Sequence, residues 1–467
     1  MRPVAAFAAV FLLMALAACT VGPNYQRPIV NTPTTYRGEA PRQAPAADVA
    51  SLGDEKWSAV FQDEELQKLI RTALERNYDV RIAATRVVQA QAQLGITRAD
   101  QFPSVNGGAS VSGIRSPSIP GVFNGYQYLA DVLSLSASWN LDFWGKYRRA
   151  TEAARANLLA SEWGRRAVLS TVVANVAAAY FQLREFDLEL DIARRTLASR
   201  QQSLKLTETL ANGGATSLLD VRQAQQLVET AAEAIPETER EIQTQENQIS
   251  IYLGENPAAI PRGRALTEQP LPPLIPAGLP SSLLERRPDI RAAEQNLIAA
   301  NAEIGVARSQ FFPQISLTGS GGLESIGLGN LFALSNGVWN FTGGATQPIF
   351  EAGRLRSNLN LAKAQQEQYL LAYQQTIQQA FRDVSNALIA YRKYREYREH
   401  QEALTNYAQD ADNLSHTRYR GGATSYLEVL TSETNYFSAE LNLARARLNE
   451  RLSLVQIYSA LGGGWQQ

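Results

Sequence analysis

The feature that most constrains this chain is a five-residue sequence that occurs twice. Residues 213–217 and 421–425 both read Gly-Gly-Ala-Thr-Ser, and each copy lies between long polar segments rich in Ala, Leu and Gln. A Gly pair ends a helix because Gly accepts positive φ, and the Thr or Ser that follows caps the next helix. We therefore predict two helical hairpins with the same tip, formed by Gly213, Gly214, Thr216 and Ser217 and by Gly421, Gly422, Thr424 and Ser425.

The repeat extends well beyond these tips. Phe102-Pro103 returns as Phe312-Pro313, and Leu253-Gly254 returns as Leu461-Gly462. The offset is about 210 residues, so the chain is one unit used twice and not a solenoid of many short repeats. The predicted segments are a signal peptide (1–18), a lipid-anchored extended segment (19–62), a first repeat (63–254), a Pro-rich linker (255–280), a second repeat (281–462) and a C-terminal tail (463–467).

The N-terminus has the pattern of a bacterial lipoprotein signal. Arg2 precedes an apolar run, Val4–Leu16, that is too short for a transmembrane anchor. Residues 16–19 resemble a lipobox, so we predict Cys19 as the lipid attachment site, with acyl chains such as palmitate on its sulfur and amine. Several acyl chains anchor a protein stably, at about 0.8 kcal/mol per buried CH₂. The alternative is a simple signal peptide cut near Ala18, which leaves a free thiol.

Each repeat has the order helix, two strands, helical hairpin. Apolar residues at helical spacing predict helices over residues 63–99, 146–211, 217–253, 281–309, 353–419 and 424–461. Strands are predicted where apolar and polar residues alternate, near Val105, Ile315 and Trp339 and most clearly from Leu133 to Phe143. This last strand has roughly ten residues, the length that crosses a membrane in a tilted barrel.

These four strands predict an oligomer. Each has an apolar and a polar face, and no predicted helix is apolar enough to cover the apolar face in water. In a bilayer the strands must close so that no edge is unpaired, and the smallest membrane barrels have about eight strands. Several copies must therefore share one barrel. The alternative is a soluble coiled-coil protein with an incidental β sandwich.

The composition speaks against several classes of function. Lys plus Arg number 44 and Asp plus Glu 45, so no basic excess indicates nucleic acid. The two histidines, His400 and His416, have no metal spacing and are predicted to lie on the surface. No Gly-x-Ser-x-Gly elbow or phosphate-binding loop is present. We therefore predict no enzyme, no metal site and no cofactor other than the lipid on Cys19.

Taken together, these motifs resemble the outer membrane efflux proteins of the TolC superfamily, most closely the OprM-like lipoprotein branch. The resemblance rests on the lipobox with residues 21–28 (Val-Gly-Pro-Asn-Tyr-Gln-Arg-Pro), the Phe-Pro strand starts, residues 278–290 and the paired tips. It implies an α+β membrane protein that forms a homotrimer. Three chains supply a shared twelve-strand β-barrel and a periplasmic α-barrel of long helices, with a small mixed equatorial domain between them.

The resemblance also implies partners and a function. The chain is expected in the outer membrane of a Gram-negative bacterium, lipid-anchored and extending into the periplasm. There the tips dock a periplasmic adaptor protein that links the channel to an inner-membrane transporter of the resistance-nodulation-division (RND) class. The protein is then a passive, gated duct for drugs or other small toxic compounds. The alternatives are an exit channel for type I protein secretion or metal efflux, and a structural envelope lipoprotein.

Gate residues follow from the same resemblance. Leu427 matches a family Leu that narrows the aperture, and Tyr419 matches a position that hydrogen-bonds to the position of Asp220 in the closed state. Glu428 is the acidic residue beside the second tip. The branch often has an acid where this chain has Thr431, so either Glu428 supplies the acidic ring or the ring is weaker.

Overall fold

The computed structural model describes residues 20–38, 51–115, 117, 120, 127–270, 278 and 280–466. The signal peptide and Cys19 lie outside these residues. Numbered in chain order, the helices and strands are α1 (Trp57–Val60), α2 (Glu64–Arg76), α3 (Tyr78–Ala99), β1 (Ser104–Arg115), β2 (Gln127–Leu141), α4 (Lys146–Asn212), α5 (Leu218–Leu253), α6 (Pro280–Arg286), α7 (Pro288–Ser309), β3 (Gln314–Ser325), β4 (Gly337–Thr346), α8 (Arg354–Arg420) and α9 (Tyr426–Ala460).

The chain divides into two compact units, each built from parts of both repeats. Of the described residues, the first unit contains those within 20–29, 86–161 and 292–373, and the second contains those within 30–38, 51–85, 162–291 and 374–466. The first therefore holds all four strands, and the second holds both tips.

The strands of the first unit form one antiparallel sheet in the order β1-β2-β3-β4. Its register aligns the alternating patterns of all four strands. Leu135 of β2 pairs with Gly107 on one side and Gly321 on the other, while the next residue, Ser136, pairs with Asn106 and Ser320. Directly opposed residues share a face. One face therefore carries mainly apolar side chains and glycines, and the other carries mainly hydroxyl and amide groups, as the sequence predicts.

Long helices dominate the second unit. Both α4 and α8 have 67 residues, which at 1.5 Å per residue gives helices of roughly 100 Å. Their predicted extents are confirmed to within one residue at each end. One stretch of α4 is long and apolar enough to span a membrane by length and composition alone, but 56% of it is buried within the protein, which is typical of a core helix.

Two predicted helices are wrong in the same way, because each is broken in two. The predicted helix 63–99 stops at Asn77, whose side-chain oxygen accepts hydrogen bonds from the backbone N–H groups of Asp79 and Val80 and so caps α3. The predicted helix 281–309 breaks at Arg287, because the following Pro288 disfavours helical backbone for the residue before it. The two breaks, at Asn77 and Arg287, thus occur at equivalent positions of the two repeats.

The second strand is also longer than predicted and ends earlier. It covers 15 residues, Gln127–Leu141, so Phe143 lies outside it. The cause is Asp142, whose carboxylate accepts hydrogen bonds from the backbone N–H groups of Tyr147 and Arg148 at 3.2 and 2.9 Å. A carboxylate in this position favours the start of α4 over a further strand residue.

Candidate functional site

The two tips have the same backbone. Gly214 and Gly422 have φ of 73° and 69°, a left-handed conformation that Gly adopts without strain. In the first tip the N–H of Ala215 donates to the carbonyl of Leu210. In the second, the N–H of Ala423 donates to the carbonyl of Arg418. These are the six-to-one bonds of a Schellman motif, which satisfies the last carbonyls of the incoming helix, and they confirm the two predicted turns.

A side-chain bond is also repeated across the tips. The Thr216 hydroxyl donates to the Asp220 carboxylate, and the Thr424 hydroxyl donates to the Glu428 carboxylate. The bond from Thr216 lowers the pKa of Asp220 below its usual value. Each acid thus lies in the first turn of the outgoing helix, where a negative charge is favoured by the helix dipole.

The caps differ between the tips. The Ser217 hydroxyl accepts a hydrogen bond from the backbone N–H of Asp220, and the Asp220 carboxylate accepts one from the N–H of Ser217, which completes a capping box. Ser425 has similar extended backbone angles, but its side chain makes no capping hydrogen bond. The predicted side-chain cap is therefore formed by Ser217 in the first tip and is not formed by Ser425 in the second.

The predicted gate residues fall into exposed and buried groups. Leu427 is 58% exposed, and Glu428 forms an ion pair with Arg418 at 3.3 Å. Tyr419 is buried, with its ring edge-on to Tyr426 at a centroid distance of 5.4 Å. Leu427 and Glu428 are therefore accessible in a single chain, whereas Tyr419 belongs to a small core.

The predicted contact between Tyr419 and Asp220 is not formed within one chain. The Tyr419 hydroxyl is buried and has no hydrogen-bond partner among the described residues. The Asp220 carboxylate accepts its hydrogen bonds from Thr216 and Ser217 instead. The role of this pair in closure stays a prediction.

A group of buried charges, which the sequence did not lead us to predict, lies close to the second tip. Glu433 of α9 is 6% exposed and accepts hydrogen bonds from Ser203 of α4 at 2.9 Å and from His416 of α8 at 3.0 Å. Arg200 of α4 is 2% exposed and lies 3.8 Å from the other Glu433 oxygen. The prediction that His416 lies on the surface is wrong, because its side chain is only 18% exposed.

Two groups in this cluster, His416 and Asp412, have raised pKa values. The hydrogen bond to Glu433 raises the pKa of His416 above its usual value, against the opposing effect of burial. Asp412, whose carboxylate lies 3.7 Å from His416, has its pKa raised by burial. A signal for this cluster was present in the sequence: Glu433 lies on the same helical face as Tyr426, Val429 and Phe437. A charge in an apolar stripe predicts a buried partner.

The described residues hold no group of three or more His, Cys, Asp or Glu side chains placed to bind a metal ion.

The segment that follows Cys19 is held by hydrogen bonds within the first unit. The Val21 N–H donates to the Trp144 carbonyl at 3.0 Å, and Arg149 donates to the Asn24 side chain at 2.7 Å. Whether Cys19 carries lipid stays a prediction.

Comparison with known proteins identifies the family. The profile of the family described as outer membrane efflux protein matches residues 69–255 and again residues 279–463. The cation efflux system protein CusC of Escherichia coli O6:H1 is 36% identical over 97% of both chains. The toluene efflux pump outer membrane protein TtgC of Pseudomonas putida is 38% identical over 97% of this chain and 94% of that protein.

Solved structures agree with this result. The open state of the Neisseria gonorrhoeae MtrE outer membrane channel matches with a TM-score of 0.87 and 33% identity, over 96% of this chain and 99% of that one. The outer-membrane channel OprN matches with a TM-score of 0.89 and 31% identity, over 96% and 100%. The predicted α+β membrane fold is thereby confirmed. The chain belongs to the outer membrane efflux proteins of the TolC superfamily and is an outer membrane channel, as its sequence predicts.

Proposed function

We propose that the four-stranded sheet is one part of a membrane barrel and that the protein is the outer membrane duct of a tripartite efflux pump. The observation that carries the proposal is the sheet with two different faces. Leu135, Trp339 and Phe341 lie on the apolar face and are 64%, 83% and 67% exposed. A monomeric soluble protein rarely leaves so much contiguous apolar surface in water. Lipid is the solvent that suits this face.

The barrel requires further copies of the chain. The sheet order leaves one edge of β1 and one edge of β4 without a neighbour among the described strands, and such edges cannot remain open within a bilayer. We propose a homotrimer, in which three chains supply twelve strands.

An exposed seam on α8 supports further copies. Tyr397 and Leu404 are spaced seven residues apart, as are Tyr407 and Leu414, and all four are more than half exposed. This heptad spacing is typical of a helix that packs against a neighbouring helix.

The other parts of the proposal rest on the family. The tips dock a periplasmic adaptor protein, which connects the channel to an RND transporter in the inner membrane, and that transporter supplies the energy. The chain itself is a passive duct with no catalytic role and no cofactor. The proposed domain division keeps two repeats at 63–254 and 281–462, and the two matched ranges, 69–255 and 279–463, support it.

Drugs or other small toxic compounds are the proposed cargo. The names of the relatives differ in cargo, since CusC belongs to a cation efflux system and TtgC to a toluene pump, at 36% and 38% identity. The match to CusC favours metal efflux as the second candidate.

We also propose that Cys19 carries the lipid anchor, and Cys19→Ala is then expected to abolish acyl labelling.

A matched pair of variants tests the proposed barrel. Leu135→Arg places a charge on the apolar face and is expected to cost about 2–4 kcal/mol near the bilayer midplane. Ser136→Arg places the same charge on the opposite face and is expected to assemble normally. The measurement is the yield of trimers and of channels in planar bilayers. Equal assembly of the two variants would contradict the assignment of the faces.

A further inference from the structure

The buried charges near the second tip join three long helices at one side chain. Glu433 of α9 accepts hydrogen bonds from Ser203 of α4 and from His416 of α8, and it lies within 3.8 Å of Arg200 of α4. Arg200 in turn donates to the Leu227 carbonyl of α5 at 2.8 Å. All four helices of the two hairpins are thus connected through Glu433 and Arg200. We call this group, together with His416 and Asp412, the Glu433 clamp.

The charged atoms of the clamp surround a cavity. Glu433 Oε2, Arg200 Nε and Asp412 Oδ1 are buried, and none of them has a hydrogen-bond partner among the described residues. All three residues line a cavity of about 230 Å³ between α4, α8 and α9. Removal of one partner from a buried charged network leaves the remaining charge uncompensated and is strongly destabilising. The strength of the clamp should therefore respond to the loss of a single charge.

On the basis of the proposed channel function, we propose that Glu433 is a positioning residue that holds the second hairpin against α4 above the tips. We propose further that His416 makes this clamp weaken as the periplasmic pH rises. In the proposed channel, opening of the mouth separates the two hairpins and so breaks the contacts that Glu433 makes with α4. The clamp thus regulates the resting closure of the duct.

The charges that face His416 set the direction of the response. From α9 it faces Glu433, and on its own helix Asp412 and Arg420 lie nearby. Arg200 of α4 acts on the carboxylates of Glu433 and Asp412, and Glu440 of α9, which also acts on Asp412, is balanced by its ion pair with Arg195. With His416 protonated, two positive charges balance the carboxylates of Asp412 and Glu433 within the clamp. When His416 loses its proton, the two carboxylates share one buried guanidinium, and their mutual repulsion favours separation of the helices.

The sign follows from the shifted pKa. Because the folded protein raises the pKa of His416, the stabilisation is fully present below the usual pKa of about 6.5 and is lost as pH rises through the folded value. Burial also raises the pKa of Asp412, so protonation of this carboxyl at low pH adds to closure. Both groups favour the closed state in acid.

The experiment measures open probability in planar bilayers between about pH 6 and about pH 8.5, the range in which His titrates. The unmodified protein is expected to open more as pH rises, with a slope of at most about one logarithmic unit per pH unit per chain. His416→Gln should remove the slope and raise open probability at the acidic end. The matched control is His400→Gln, which changes the other histidine of the chain, an exposed residue on the same helix, and should keep the slope.

Two further variants separate charge from packing. Glu433→Gln leaves Asp412 as the one carboxylate of the clamp for both Arg200 and His416, so the rise of open probability with pH should be smaller than in the unmodified protein. Ser203→Ala removes a neutral hydrogen bond and keeps every charge, so the slope should persist. If Glu433→Gln does not assemble, His416→Gln and Ser203→Ala still decide the question.

The outcomes distinguish the two proposals. If the unmodified protein forms no channels, the proposed function fails. If it forms channels whose open probability does not depend on pH, or if His416→Gln keeps the slope of the His400→Gln control, the clamp is overturned while the channel stands.

Discussion

The two tips have the same backbone conformation but different flanking residues. Both end a helix with Gly at positive φ, both make the six-to-one hydrogen bond, and both place a Thr hydroxyl on the acid four residues later. The flanking residues differ. Tyr426 is 2% exposed, whereas Leu218 at the equivalent position of the first tip is 67% exposed. Local signals thus determine the turn, and the flanking residues determine what each hairpin buries.

The difference continues into the helices. Glu433, at the centre of the buried charges, corresponds in the repeat to Gln225, and Tyr419 corresponds to Ala211. Aromatic and charged side chains therefore replace small or neutral ones in the second hairpin.

The largest expected change in the free energy of unfolding follows from removal of the aromatic side chain that the second tip buries. Tyr426→Ala leaves a cavity where the ring packs against Tyr419 and Val429 and should lower the free energy of unfolding by about 3–5 kcal/mol. Leu218→Ala should change it by less than about 0.5 kcal/mol, because this side chain is exposed. Chemical unfolding of the detergent-solubilised protein, followed by helical circular dichroism, measures both.

A conservative variant sharpens the same test. Tyr426→Phe removes only a buried hydroxyl that has no hydrogen-bond partner among the described residues, so its cost should be small. If Tyr426→Ala and Leu218→Ala lower the free energy of unfolding equally, the residues that follow the two tips are equivalent in solution.

The next largest change in the free energy of unfolding is expected from substitution of the positive-φ glycines, and it should be equal in the two tips. Gly214→Ala and Gly422→Ala each force a side chain into the left-handed region at a cost of about 1–2 kcal/mol. Nothing lies within 4 Å of the added Cβ in either tip, so backbone strain is the only contribution. Gly213→Ala and Gly421→Ala, at neighbouring positions without positive φ, are the controls. A twofold or larger difference between the tips would mean that their turns are not the same in solution.

The smallest effect concerns the caps. Ser217→Ala removes a capping box and should cost about 1 kcal/mol, while Ser425→Ala should cost almost nothing because its side chain makes no capping bond. The same unfolding measurement applies, with Thr216 and Thr424 left intact. If Ser425→Ala is as costly as Ser217→Ala, the second Ser also caps its helix.

The sequence predicted those features that depend on neighbouring residues. The turns, the long helices and the alternation of the strands depend on φ preferences and periodicity, which are visible within about ten residues. The helix break at Asn77 also has a local signal, a side chain that caps the next helix, but it fell within a continuous helical pattern and was missed. Glu433 bonds to Ser203, 230 residues away, and periodicity says nothing about which distant helix supplies a partner.

The hydroxyl face of the sheet has a consequence for permeation. From Asn106 through Ser136 to Ser320 and Asn340, the residues paired across the middle of the sheet are neutral. In the proposed barrel this face lines the lumen, so an ion that crosses this level meets dipoles that can reorient but no fixed charge. Such a wall offers little discrimination between cations and anions. The reversal potential of the open channel should therefore report on acids away from this level, such as Glu324 near the end of β3 and Glu428 beside the second tip, and should be insensitive to substitutions among the strand hydroxyls.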